Sequence, residues 1–288
     1  MKRNFVRFSF ALLAICLSTS TFSCSNIDDE DFNENIPGNT VANPSSIEIP
    51  KLRGGNNNLF VSHSTKIGNK DVTTYSMEYD CSLRHARWVA FTFYNTTAAN
   101  TSGRTEAWAN DPNIPAQYRS TRSDYSGYDR GHICASADRV YSVPANKQTF
   151  YYSNMSPQMG GFNQKIWADL ENRVREWGRS NSFRDTLYVV KGGTIDEKNQ
   201  ILKYNGPNRI PVPKYYYMAF LCKKGSQYKA ISFWLEHKTN YQKPYNFANY
   251  VKKIDELETL TGIDFFHNLP DEIENKVEST TVLGDWNL

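Results

Sequence analysis

The residues of this 288-residue chain best suited to chemistry lie between positions 129 and 175. Asp129-Arg130-Gly131-His132 follows a turn-rich stretch, Pro112 to Tyr128, and precedes the apolar pair Ile133-Cys134. Histidine is the side chain whose ordinary pKa suits taking a proton from water near neutral pH. The arginine beside it offers a planar, permanently charged fork for anionic oxygens. One His beside one Arg is a weak signal, since most histidines simply pack or face solvent. The downstream segment strengthens it. Asn163, Trp167, Glu171 and Arg175 are spaced by four, so on a helix they follow one slowly drifting stripe, with Ile166, Leu170, Val174 and Trp177 as an apolar stripe beside it. The apolar stripe accounts for seating the helix on a core. The polar stripe places an amide oxygen, a carboxylate and a cation in a row. By itself the helix leaves two blander uses open: Asn163 as an N-cap, and Glu171 with Arg175 as an i,i+4 ion pair on a wet face.

These side chains need a frame. Runs rich in aromatic and β-branched residues predict strands at Thr73–Tyr79, Trp88–Tyr94, Thr149–Ser153, Thr186–Val190, Lys214–Cys222 and Lys229–Glu236. Helical patterns predict Phe162–Trp177 ending at Gly178, Pro244–Lys252, and a short acidic helix at Asp271–Val277. Strands and helices do not alternate regularly, which favours an antiparallel-rich α+β fold over a doubly wound one. The 18 Tyr, 16 Phe and 6 Trp suit a sheet-rich core and argue against a coiled coil or helical repeat array. From residue 59 to 288 there is no composition break, charge block or internal repeat, so the segment reads as one domain.

The N-terminus reads as a targeting segment. Lys2, Arg3 and Arg7 flank the apolar run Phe8 to Leu17, which is too short to span a bilayer and matches a secretory signal over residues 1–23. Thr21-Phe22-Ser23-Cys24 resembles the lipobox of bacterial lipoproteins, which makes Cys24 the expected lipid anchor and the mature protein an exported, membrane-tethered one. Residues 24–58, opening with Asp28-Asp29-Glu30-Asp31, read as an acidic flexible linker. With the leader removed, the three cations it carries leave 30 Lys and Arg against 30 Asp and Glu; from residue 54 onward the balance is 28 to 24. That mild excess permits a polyanionic partner without proving one. Cys81, Cys134 and Cys222 then remain, allowing at most one disulfide, and no Cys/His spacing suits a structural zinc. Mean hydropathy of −0.62 with no second long apolar run excludes a polytopic membrane protein.

The motifs together carry a resemblance. Asp129-Arg130-Gly131-His132, then Asn154-Met155-Ser156-Pro157-Gln158, then Phe162-Asn163-Gln164-Lys165-Ile166-Trp167 with Glu171 and Arg175 resemble the DNA/RNA non-specific endonuclease family. This is the ββα-metal, or His-Me finger, group that includes mitochondrial endonuclease G. Supporting pieces are Arg87-Trp88-Val89-Ala90, Val189-Val190-Lys191-Gly192-Gly193 and Leu257-Glu258-Thr259-Leu260-Thr261-Gly262-Ile263-Asp264-Phe265-Phe266, so the likeness runs from about Ser76 to Trp286. Two departures are visible: Ile-Cys-Ala follows His132 where many relatives have an apolar residue, a small residue and Pro, and Lys191 replaces a commoner Thr. Neither is expected to touch a group that does chemistry.

The resemblance implies a central antiparallel sheet carrying a ββα-metal unit. Its parts would be the strand leading into His132, the strand near Thr149–Ser153 and the Phe162–Trp177 helix. It also implies sequence-independent hydrolysis of DNA and/or RNA phosphodiesters. His132 would be the general base, Asn163 the sole direct protein ligand of one Mg²⁺ (with Mn²⁺ as the alternative), and Glu171 the holder of metal-bound water. Arg130 and Arg175 would hold phosphate oxygens, Asn154 would support the geometry, and Arg104 matches a further family arginine. The residue types agree with that scheme: phosphodiester hydrolysis needs a deprotonated water, charge neutralisation and assistance to the leaving oxygen, and Mg²⁺ needs few, hard oxygen ligands. Two alternatives stay open: a phosphodiesterase acting on small nucleotides with the same residues, and an inactive nucleic-acid-binding surface lipoprotein. The latter predicts loss of the His or the Asn, and both are present.

Overall fold

A computed structural model describes residues 43–288; the signal segment, Cys24 and the acidic run after it lie outside the described residues. Eleven strands are described: β1 Asn58–Ile67, β2 Lys70–Asp80, β3 His85–Phe93, β4 Asp129–His132, β5 Met155–Gln158, β6 Thr186–Gly193, β7 Ile201–Asn205, β8 Ile210–Pro213, β9 Tyr215–Lys224, β10 Gln227–Glu236 and β11 Val251–Lys252. Seven form one antiparallel sheet in the order β1-β2-β3-β6-β9-β10-β11, while β4 pairs with β5 and β7 with β8.

Both faces of the large sheet are covered, and the strands show it in their alternation. Along β9, Tyr216, Met218, Phe220 and Cys222 join one apolar cluster, and Tyr217, Ala219 and Leu221 join the other. The first face packs Phe162, Ile166, Leu170, Val174 and Trp177 of the site helix together with Ile133 and Cys134. The second packs the helices Ile254–Thr261 and Asp271–Glu278 and the buried Ile49. Cys81, Cys134 and Cys222 are all buried and free, so none of them is paired. No helix of the described residues is long and apolar enough to cross a membrane.

Three expectations need correction. The Thr149–Ser153 strand is absent. Ser142 caps a short helix, Val143–Gln148, with Pro144 in its first turn, and a single 3₁₀ turn, Tyr152–Asn154, follows. The second strand of the hairpin is Met155–Gln158 instead, and the aromatic run before it serves as packing, with Phe150 fully buried. The Pro244–Lys252 helix is likewise absent: Asn246 caps a 3₁₀ turn, Phe247–Tyr250, and Val251–Lys252 pair with the open edge of β10. The expected flexible linker is docked over its last part. Ile49 is 1% exposed, Lys51 N donates to Asp264 O, and Asn268 Nδ2 donates to the carbonyls of Pro44 and Ser46 at 3.0 Å each. β1 was not anticipated because its interior includes buried Ser62, His63 and Thr65, which break the apolar alternation.

Candidate active site

β4 and β5 form a short antiparallel pair in which His132 lies opposite Met155 and Gly131 opposite Ser156. A side chain at Gly131 has no room: a Cβ there would lie 2.0 Å from Gln158 Oε1. Glycine therefore lets β4 close on β5 and sets Arg130 and His132 at their positions on either side of it. Asn154 pins the chain leaving His132. Its Oδ1 accepts from Cys134 N at 2.8 Å, and its Nδ2 donates to Cys134 O and Thr149 O at 2.9 and 2.8 Å. It is fully buried, so it acts by positioning.

The helix that follows begins at Gly160–Phe162, passes through a π-helical turn at Asn163–Trp167 and continues as Ala168–Arg179. Its entry is fixed by His237, whose Nδ1 donates to Pro213 O and whose Nε2 accepts from Met159 N at 2.7 Å. Asn163 therefore lies inside the helix and is not its N-cap. The wide π-turn, a device frequent at functional positions, also turns Trp167 out of the polar stripe: it is fully buried against Phe162 and Tyr216.

One cavity of about 470 Å³ is lined by Arg104, Arg130, His132, Asn163, Glu171 and Arg175, with Trp108 and Asp129 on its wall. Six of the seven candidates thus meet, and Asn154 alone stays behind the wall. Asn163 Nδ2 donates to Asp129 Oδ2 at 3.0 Å, where Gln164 Nε2 also donates at 2.8 Å. A carboxylate only accepts, so the Asn163 nitrogen must face it and Oδ1 is left over for another partner. Glu171 is eight residues further along, about 12 Å of helix rise at 1.5 Å per residue.

His132 is held between Trp108 and Phe150, with ring centroids 5.5 and 5.0 Å away, and its Nε2 is buried without a hydrogen-bond partner. Burial, followed by the Arg104 and Lys191 cations, pushes its pKa down to about 3, which keeps the ring neutral throughout the neutral range. Arg130 lies 3.6 Å over the Trp108 ring, and Arg104 lies 4.8 Å over Phe150 while pairing with Glu106. Two aromatic rings, edge-on to each other, thereby gather two cations and the base around them.

The ion pair between Glu171 and Arg175 that the helix spacing left open does not form. Arg175 donates to the buried Asp138 at 2.9 Å, and Glu171 accepts from Lys191 Nζ at 2.5 Å. Lys191 is 0% exposed, lies 5.0 Å from the Trp167 ring centroid and comes from β6, behind the cavity. Burial raises the Glu171 carboxyl pKa, with Lys191 opposing the rise. The expectation that Lys191 touches no group of chemical interest is therefore wrong, and the reason is that β6 runs directly under the site helix. Trp108, Phe150, Asp129 and Asp138 were also missed as site residues. Only Asp129 carried a signal in sequence, as the first residue of the motif.

Residues 55–272 match the family described as DNA/RNA non-specific endonuclease. A nuclease of Nostoc sp. is 32% identical over 215 residues, covering 71% of this chain and 75% of its own length. Nuclease C1 of Cunninghamella echinulata var. echinulata is 34% identical over 166 residues, 55% of this chain and 66% of its own. The Homo sapiens protein named mitochondrial endonuclease G is 27% identical over 210 residues, 69% and 70% of the two chains. In fold, the chain matches a crystal structure of the EndoG/EndoGI complex with a TM-score of 0.62 at 23% identity, over 74% of this chain and 89% of that one. With a family match over most of its length and an α+β fold shared with a solved EndoG structure, this chain belongs to the DNA/RNA non-specific endonuclease family of nucleic-acid hydrolases.

Proposed function

We propose that the chain is a divalent-metal-dependent, largely sequence-independent endonuclease on DNA and/or RNA, exported and held to a membrane by lipid on Cys24. The observation that carries the reading is the single cavity gathering an unpartnered neutral His132, the free Oδ1 of Asn163, Glu171 and three arginines. His132 takes the proton of the attacking water. Arg130 and Arg175 hold the phosphate oxygens, with Arg104 at the rim. A Mg²⁺ ion, or Mn²⁺ in its stead, fits a donor set of one neutral amide oxygen and a more distant carboxylate; when bound it neutralises phosphoryl charge and assists departure of the leaving oxygen. Glu171, further along the same helix and on the same cavity wall, would support that ion from a distance rather than as a direct ligand.

A polymer is favoured over a small phosphate ester because a second cleft, about 660 Å³, shares Tyr128 and Arg130 with the first and extends past Arg122. A strand can therefore run on beyond the reacting phosphate, and the cavity offers phosphate-binding groups with no evident reader of base edges. The test is a comparison of closed circular plasmid, circular RNA and bis(p-nitrophenyl) phosphate, each with Mg²⁺ and with EDTA. Nicking of at least one circular polymer, abolished by EDTA and restored by Mg²⁺, with far slower turnover of the small ester, is the expected result. Efficient turnover of the small ester with no nicking would favour the small-nucleotide phosphodiesterase.

A further inference from the structure

On the far side of the large sheet, away from the catalytic cavity, three carboxylates converge without a cation. Asp255 and Glu258 sit three residues apart on the helix Ile254–Thr261 and share a face. Glu278 closes the neighbouring helix Asp271–Glu278. One carboxylate oxygen from each lies within 4.8 Å of the others. Among the described residues none of the three is in an ion pair, while Glu274 and Asp264 add further negative charge nearby.

Glu278 is the informative member. It is 7% exposed, and its Oε1 is buried without any hydrogen-bond partner. It also sits at a helix C-terminus, where the backbone dipole disfavours an anion. A buried, unpartnered carboxylate at the wrong end of a helix and facing two like charges has four separate costs, and among the described residues no group compensates them. Glu258 spends one oxygen on Phe265 N at 2.7 Å, which fixes its side chain and leaves the other oxygen available.

We propose that Asp255, Glu258 and Glu278 form a second divalent-cation site, suited to Ca²⁺, that clamps the two C-terminal helices together. Three oxygens within 4.8 Å of one another need only small side-chain adjustments to close on one ion at the roughly 2.3–2.6 Å that Ca²⁺ accepts. Ca²⁺ also tolerates the irregular geometry of side chains drawn from two helices, with water completing its shell. The helices carry Ile254, Leu257 and Val277 into the second apolar cluster, so the clamp secures the layer covering that face. The site contributes stability and takes no part in hydrolysis.

The test uses thermal unfolding of the full chain in EDTA, in 10 mM Ca²⁺ and in 10 mM Mg²⁺, with direct Ca²⁺ titration by calorimetry. For a Kd of order 10⁻⁴ M, Ca²⁺ should raise the Tm by roughly 5–10 °C, with Mg²⁺ giving a clearly smaller shift. The Ca²⁺ shift should survive in Asn163→Ala, which removes the proposed catalytic ligand, and disappear in Glu278→Gln and in Glu258→Gln. In EDTA, Glu278→Gln should melt no lower than wild type, because a repulsive charge has gone. The proposal is overturned if wild type neither binds Ca²⁺ nor shifts, or if the shift persists in both glutamine variants. It is equally overturned if Asn163→Ala abolishes the shift, which would assign the binding to the catalytic cavity.

Discussion

His132 and Asn163 were legible in the sequence because a motif and a spacing of four announced them; what stands around them was not. Lys191 is the clearest case: nothing in a strand of valines and glycines marks a lysine as the buried partner of a carboxylate 20 residues earlier. That contact alters what a substitution at Glu171 should do. With Lys191 fully buried, Glu171→Gln strands a cation and should cost of order 3–5 kcal/mol of stability in addition to lost activity, read by denaturant unfolding alongside turnover. Conversely, Lys191→Met leaves Glu171 buried without its cation. Its pKa should climb further, so the acid limb of the activity profile moves to higher pH and activity at pH 6 falls more than at pH 8. An unchanged profile would show that the Glu171 charge is immaterial to turnover. Asn163→Ala removes a cavity oxygen while leaving the helix its propensity, so the expected lesion is a large rise in the Mg²⁺ concentration needed for activity, measured by metal titration at fixed substrate.

At the scale of elements, β2, β3, β6, β9 and β10 could be read from runs of aromatic and β-branched residues, a signal that misled at Thr149–Ser153, where the aromatic run serves packing. β5 could not, since Met-Ser-Pro-Gln has neither strand composition nor alternation; it is held in place by pairing to β4 and by a wholly buried environment. The helix Ile254–Thr261 did carry a signal, Gly262 in the left-handed region at φ 69°, but its eight residues are too few for a persuasive apolar period. The π-turn at Asn163–Trp167 has no sequence signature at all, and it alone decides that Trp167 belongs to the core. The hairpin yields a test. Gly131→Ala places a methyl group against Gln158 and should destabilise the protein by about 1–3 kcal/mol. Because relieving the clash displaces either the buried Gln158 side chain or β4 beside His132, activity should fall by more than the loss of folded protein explains, a difference that activity per folded molecule will expose.

The molecule as a whole should be sensitive to acid through its buried histidines. His85 donates from Nδ1 to Ala86 O and accepts at Nε2 from Ser156, and His237 has the arrangement that fixes the site helix; burial pushes both down to about 4. The unfolded chain takes up these protons below about pH 6.5 and the folded chain only near 4, so their contribution is complete above about pH 6.5 and is lost as pH falls toward 4. Stability measured from pH 7.5 to 4 should fall in that window, with loss of the Met159–His237 bond coupling the decline to the site. A flat profile would mean that neither ring is buried in its neutral form. Location is separable from chemistry: Cys24→Ser should move the protein to a soluble fraction and abolish fatty-acid labelling without altering its nuclease rate. The central claim, that hydrolysis runs through His132 in the cavity of the ββα unit, is tested most directly by the rate at which wild type and His132→Ala nick closed circular plasmid in Mg²⁺. The account predicts a fall on the order of 10²- to 10⁴-fold with DNA binding retained, and a variant that nicks at the wild-type rate would contradict it.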